Sequence, residues 1–153
     1  MTQDASFKDG AERPLRLRAL DADDLAVIAA ITQDAVFPAA EIRWDRKARR
    51  FGLLINRFRW ENGQQQAERV QSVLAFEDVI AVQSQGINKA DPDLICSLLS
   101  ISFAPGADGA GRIELVLAGD GAIALQVEAL EVLLRDVTRP YAAPSGKAPR
   151  HPD

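Results

Sequence analysis

The stretch IRWDRKARRFGLLINRFRWE, residues 42–61, carries a folding signal and a charge anomaly together. Phe51, Leu53 and Ile55 share one parity, and Phe58 and Trp60 share the other, the two-residue period of a β-strand. The parity switches near Asn56 and Arg57. One extra residue reverses the side-chain register of a strand, so the pattern predicts a β-bulge there. Residues 41–45 and 50–60 then read as the two strands of a hairpin, joined by the charged turn Arg46-Lys47-Ala48-Arg49. Arg43, Arg46, Lys47, Arg49, Arg50, Arg57 and Arg59 are seven of the chain's 18 Lys/Arg residues, with Asp45 the one acid among them. The span 43–59 is therefore +6 in a chain of net −4, which leaves −10 for the remainder.

Upstream of the hairpin, Leu15, Leu17 and Ala19 alternate with Arg16 and Arg18 in a short strand with one basic face. A helix follows, with Asp21 as N-cap and Asp24 three residues later, where a carboxylate suits the helix N-terminus. Its apolar stripe is Leu25, Ile28, Ile31 or Thr32, and Ala35, and Pro38 is expected to stop it. Downstream, residues 69–76 and 78–85 read as strands broken at Glu77 and Asp78. In residues 99–103 apolar residues alternate with serine. Asp91-Pro92 reads as the cap of one helical turn, and the glycine-rich 105–111 as a hairpin loop. Residues 112–118 and 122–127 flank Gly119-Asp120-Gly121, a tight turn in which glycines supply positive φ. Val127, Leu130, Leu134 and Val137 recur at helical spacing and predict a C-terminal helix.

The order is a β-α unit, seven strands joined mostly as hairpins, and a terminal helix. Short connections imply an antiparallel sheet, and helices flanking a run of strands imply the α+β class. Seven strands curled on themselves with a capping helix match the element order of a pleckstrin-homology-like barrel. The alternative is a helix-grip arrangement, a curved sheet wrapped around a helix and an apolar cavity. Residues 14–138 are expected to form this single domain, with the polar residues 1–13 and the proline-rich 139–153 disordered.

A chain of 153 residues with 47% hydrophobic and 26% charged residues has the composition of an ordinary globular domain. Its net charge of −4 opposes whole-surface attraction to nucleic acid or anionic membrane, so any such contact must be local. Cys96 is the lone cysteine, which excludes an intramolecular disulfide and a thiolate metal cluster. The N-terminus lacks the apolar core of a signal peptide, and no apolar run reaches the roughly 18 residues of a membrane span. A cytoplasmic location is the expectation.

RRFGLLINRFRWE, together with VIAVQSQGI at 79–87 and IELVLAGDGAIALQVEALEVLLRDV at 113–137, resembles a family of small alphaproteobacterial proteins known only as a domain of unknown function. The resemblance spans residues 15–137, and Asn-Arg-Phe-Arg-Trp-Glu is its most specific element. It implies a bacterial cytoplasmic protein and assigns no activity, ligand or site residue.

The residues themselves argue against catalysis. His151, in the tail, is the only histidine, which leaves no Ser-His-Asp or Cys-His arrangement and no ordinary transition-metal site. GADGAG at 106–111 links strands and cannot offer phosphate a helix N-terminus. Asp21, Asp23 and Asp24 are explained by a helix start, Glu128 and Glu131 by the solvated face of the C-terminal helix, and Cys96 by apolar packing among Leu94, Ile95, Leu98 and Leu99. The expectation is a protein without catalytic residues, cofactor or metal. What remains is a binding surface made of Arg43, Arg46, Lys47, Arg49, Arg50, Arg57 and Arg59. Arginine forms bidentate contacts with carboxylate or phosphate, and crowded cations repel until an anion arrives. An acidic protein or a second copy of this chain is the expected partner. The first alternative is RNA or a single strand, with Trp44, Phe51, Phe58 or Trp60 as stacking platforms. The second is a small-ligand carrier with an internal cavity.

Overall fold

The two-residue period of the β-strand shapes most elements of the described residues. The computed structural model describes residues 14–59 and 68–142. Its strands are β1 (Arg16–Ala19), β2 (Val36–Pro38), β3 (Arg43–Asp45), β4 (Arg50–Phe58), β5 (Glu68–Phe76), β6 (Val79–Gln85), β7 (Ile95–Pro105), β8 (Gly111–Leu117), β9 (Ala122–Val127), β10 (Val132–Asp136) and β11 (Tyr141–Ala142). A helix, α1 (Ala22–Ile31), follows β1, and short 3-10 turns occupy Ala39–Glu41 and Ala107–Gly109.

Every strand pairing is antiparallel. The path runs β1-β10-β5-β4-β2-β7-β8-β9-β6, with β3 beside β4 and β11 beside β5. The α+β class and the antiparallel sheet are as the pattern implied, but the sheet is open. Its outer strands β1 and β6 do not pair, so the pleckstrin-homology-like closure is not formed. The join between the halves is narrow. β2 meets β4 through the single pair Val36↔Asn56 and meets β7 over three residues.

One apolar core serves both halves. Phe51, Leu53 and Ile55 of β4 and Leu74 and Phe76 of β5 cluster with Ile113 and Leu115 of β8 and Ile123 and Leu125 of β9. Burying each such side chain contributes roughly 1.5–3 kcal/mol. α1 packs against β1 and β7 and adds Leu25 and Ile28 to the cluster. Asp21 caps it as the sequence implied, accepting the Asp24 N–H at 2.8 Å. The helix stops before Pro38: Thr32 turns its hydroxyl back to the Ile28 carbonyl at 2.8 Å, Asp34 takes a left-handed φ of 66°, and the chain is extended by Val36.

Three expectations are corrected by pairing. The C-terminal helix is absent: after β9 the chain turns and returns as β10, inserted between β1 and β5. The segment fits both periods, since Leu134 belongs to the helical series and also lies two residues from Val132. Pairing on both flanks decides for the strand. The bulge in β4 is also absent, because its register with β5 runs unbroken from Phe51↔Phe76 to Phe58↔Arg69. Register shifts occur instead at Ile80 in β6 and Leu99 in β7. Asp91 caps no helix; its side chain accepts the Asp93 N–H at 2.9 Å in a local turn. The sheet also reaches past residue 138, with Tyr141 opposite Arg69. The remaining residues expected to be disordered, 1–13 and 143–153, lie outside the described residues, as do Trp60 and His151.

Gly111 opens β8 at a close approach. A Cβ there would lie 2.5 Å from Phe103 Cε1 and 2.6 Å from the Ala104 carbonyl oxygen. Gly111→Ala is expected to destabilise the fold by about 1–3 kcal/mol. Gly52→Ala, which meets nothing within 4 Å, should change stability little. Urea titration of the two variants side by side checks both.

Candidate functional site: a basic hairpin and the ion pair at its base

β3 and β4 form the expected hairpin, with Asp45↔Arg50, Trp44↔Phe51 and Arg43↔Gly52 opposite one another. The turn is locally specified. Asp45 Oδ1 accepts the Ala48 N–H at 3.0 Å, and the Arg49 N–H donates to the Arg46 carbonyl at 3.2 Å. Arg49 has a left-handed φ of 56°, an uncommon conformation for a residue with a side chain. Its surroundings hold it there: its carbonyl accepts the Val79 N–H at 2.9 Å, and its guanidinium pairs with Glu128. The hairpin is thereby tied to the start of β6 and to the β9–β10 turn.

Most of the seven cations are already engaged by the chain itself. Arg43 donates to the Ala40 carbonyl at 2.6 Å, with Glu41 at 3.8 Å. Arg50 donates to Glu77 at 2.6 Å, and this bond holds the guanidinium pKa above its ordinary value. Arg59 pairs with Glu68 at 2.7 Å. Arg57 pairs with Asp136. Glu128 and Glu131, expected on a helical face, instead pair with Arg49 and Arg18 from turns between strands. Of the seven, Arg46 and Lys47 form no ion pair among the described residues. Both are exposed, and with Arg43, Trp44 and Asp45 they line an open surface depression at the tip.

Arg57 and Arg59 do not belong to a contact surface. Arg57 is 0% exposed and Arg59 6%. The aromatic residues are withdrawn as well: Phe51 and Phe58 are buried, and Trp44 is half-buried against the core, opposite Phe51. Stacking platforms for a nucleic-acid strand are thus not provided by Phe51 or Phe58.

Beneath the hairpin lies the arrangement that sequence reading missed. Arg57 has the same parity as Phe51, Leu53 and Ile55 and points inward. Its Nη2 donates to both Asp136 oxygens, at 3.0 and 2.9 Å, and its Nε to Asp136 Oδ1 at 3.2 Å and Ser72 Oγ at 3.1 Å. The Ser72 hydroxyl donates to Asp136 Oδ1 at 2.7 Å. Asp136 Oδ2 also accepts the Leu15 N–H at 2.8 Å. Four donor groups thus converge on one carboxylate, whose side chain is 5% exposed. The parity of Arg57 is the available signal; the parity switch to Phe58 suggests a bulge, but the register is unbroken and Arg57 and Phe58 are both buried.

Residues 15–151 match the family described as Protein of unknown function (DUF2948). The chain belongs to that family. No curated protein and no solved structure matches it. Among the described residues, no helix is long and apolar enough to cross a membrane, and no group of three or more His, Cys, Asp or Glu side chains is placed to hold a metal ion. Cys96 is a buried free thiol on β7.

Two outcomes are expected. Arg57→Met or Asp136→Leu alone leaves a buried charge without its partner and should cost about 3–5 kcal/mol in urea denaturation, whereas the double variant should recover much of that loss. Burial raises the Cys96 thiol pKa. The folded chain therefore keeps its proton where the unfolded chain has lost it, and the contribution of this group to stability falls as pH rises past about 8.5. In native protein Cys96 should react far more slowly with a disulfide reagent at pH 8 than in urea, as followed by thiolate-release absorbance.

Proposed function

We propose that this protein is a non-enzymatic, cytoplasmic interaction module whose β3–β4 tip receives an acidic segment of another protein. The observation that carries this reading is the contrast within the basic block. Among the described residues, Arg43, Arg49, Arg50, Arg57 and Arg59 each have a carboxylate of this chain within 4 Å, whereas Arg46 and Lys47, side by side at the tip, do not. A flexible Lys beside a planar Arg suits carboxylates presented at varied angles. The half-buried Trp44 gives the depression one apolar wall, and the hydrogen-bonded turn fixes its shape before a partner arrives.

Carboxylate is favoured over nucleic acid by what surrounds the two cations. Two free charges neutralise few phosphates, while nucleic-acid affinity grows with the number neutralised. With Phe51 and Phe58 in the core, the base-stacking contribution also shrinks. Absence of catalysis is part of the proposal and rests on the lack of a histidine in residues 14–142 and on the inert setting of Cys96.

The test is the variant Arg46→Glu/Lys47→Glu, which leaves every ion pair named above in place. Its thermal midpoint should stay within a degree or two of wild type, because exposed substitutions of this kind change stability by under about 0.5 kcal/mol. Titration with a fluorescent glutamate-rich peptide should show binding that the variant loses. A labelled single-stranded RNA at low salt should give no shift. Equal peptide binding by the variant and wild type would remove the tip from the interaction, and an RNA shift abolished by the variant would replace the acidic protein with nucleic acid.

A further inference from the structure

The two ends of the sheet are built differently. β1, at one end, has four residues, follows Pro14, and carries Arg16 and Arg18 exposed. Short length, proline and charge are the usual guards against unwanted strand pairing. β6, at the other end, has seven residues and none of those guards. From Val79 to Asn88 the sequence VIAVQSQGIN contains no charged residue, in a chain of which 26% is charged. Five of the seven β6 residues are exposed, including Ile80 at 50%. On its outer side, the Val79 N–H is bonded to the Arg49 carbonyl; beyond that, β6 pairs only with β9 among the described residues. The bulge at Ile80 leaves 81–85 in regular register with β9.

We infer that β6 is the seam of a two-fold symmetric dimer, in which the β6 strands of two copies pair antiparallel and join their sheets into one. The occupant is a second copy for reasons of charge and symmetry. Two chains of net −4 repel over most of their surfaces, and a strand without charge is where two such chains approach at least cost. A neutral, self-similar edge offers a foreign acidic or basic segment nothing to select, whereas antiparallel self-pairing satisfies backbone groups on both copies at once. A two-fold axis normal to the sheet keeps each face continuous. Val82 and Ser84, opposite Leu125 and Ile123 of β9, then continue the core-side face. Ala81 and Gln83, opposite Gln126 and Ala124, lie on the outer face and meet residues of the same set on the partner. The seam is independent of the hairpin tip and stands or falls without it.

Sedimentation velocity of the full chain across a concentration series reads the result. Wild type should run as a species of twice 16.6 kDa that dissociates on dilution. Ala81→Lys/Gln83→Lys sets like charges opposite one another across the seam, as does Ala81→Glu/Gln83→Glu, and each variant alone should be monomeric with an unchanged circular dichroism spectrum. Mixed in equal amounts, the two variants place opposite charges across the seam and should restore the doubled mass. Hydrogen exchange should show β6 amides protected in wild type and exposed in either variant alone. A wild-type monomer at every concentration overturns the proposal and leaves the edge to a foreign strand. Dimers that persist in both variants, or a mixture that stays monomeric, overturn it as well.

Discussion

The arrangement on which this fold most depends is the contact between Arg57 and Asp136, made inside the sheet. Removing an ion from water costs several kcal/mol even after the surroundings relax, so neither group is tolerable there without the other. Their meeting requires three registers at once. β4 must lie on β5 so that Arg57 reaches over Ser72, β5 must lie on β10 so that Ser72 faces Asp136, and β1 must arrive with the Leu15 N–H aimed at Asp136 Oδ2. A slip of one residue in β4 would carry Arg57 to the opposite face together with Phe51, Leu53 and Ile55. Apolar residues alone penalise that slip, and the ion pair penalises it again. A well-packed apolar pair at these positions could match the net stability, so the weight of the ion pair falls on selecting one register.

The same arithmetic changes the meaning of the basic block. A span of +6 in a chain of −4 looks like a surface awaiting an anion. Folding instead brings Glu41, Glu68, Glu77, Glu128 and Asp136 to five of its seven cations, from positions up to 79 residues away. The −10 remainder is, in large part, the block's own counter-charge. The exposed pairs among these contribute only about 0–1 kcal/mol each. Their consequence is for recognition: they lower the local positive potential everywhere except the tip and so reduce a seven-residue feature to Arg46 and Lys47.

What the sequence disclosed, and what it concealed, follows from the range of the forces involved. Local signals were legible. Asp21 before Asp24 marked the helix start, the charged turn marked the β3–β4 hairpin, and the alternation in β5, β7, β8 and β9 marked strands. The misreadings concern segments whose conformation is settled by a distant partner. Val127 to Val137 satisfies helical and strand periods alike, and only the vacant place between β1 and β5 chooses between them. Arg57 reads as part of a basic surface because the partner that holds it in the core lies 79 residues further along. The join between the two halves of the sheet rests on β2, a three-residue strand with a proline at its end that no periodicity detects.

Two surfaces stand out among the described residues after the internal pairings are made, and the two proposals divide the partners between them. A two-fold contact through the hairpin tip would set Arg46 and Lys47 of one copy against the same residues of the other, and like charges at close range exclude that geometry. A tip docked on the acidic flank of a neighbouring copy would be a heterologous contact, which closes into a ring only at particular angles and otherwise propagates without end. On the proposed reading the tip therefore serves a different molecule. The β6 edge is the reverse case, because it has no charge with which to discriminate and a backbone that pairs with itself. Self-association through a neutral edge leaves both tips of the dimer free, so two weak acidic contacts on one partner would reinforce each other through their raised effective concentration.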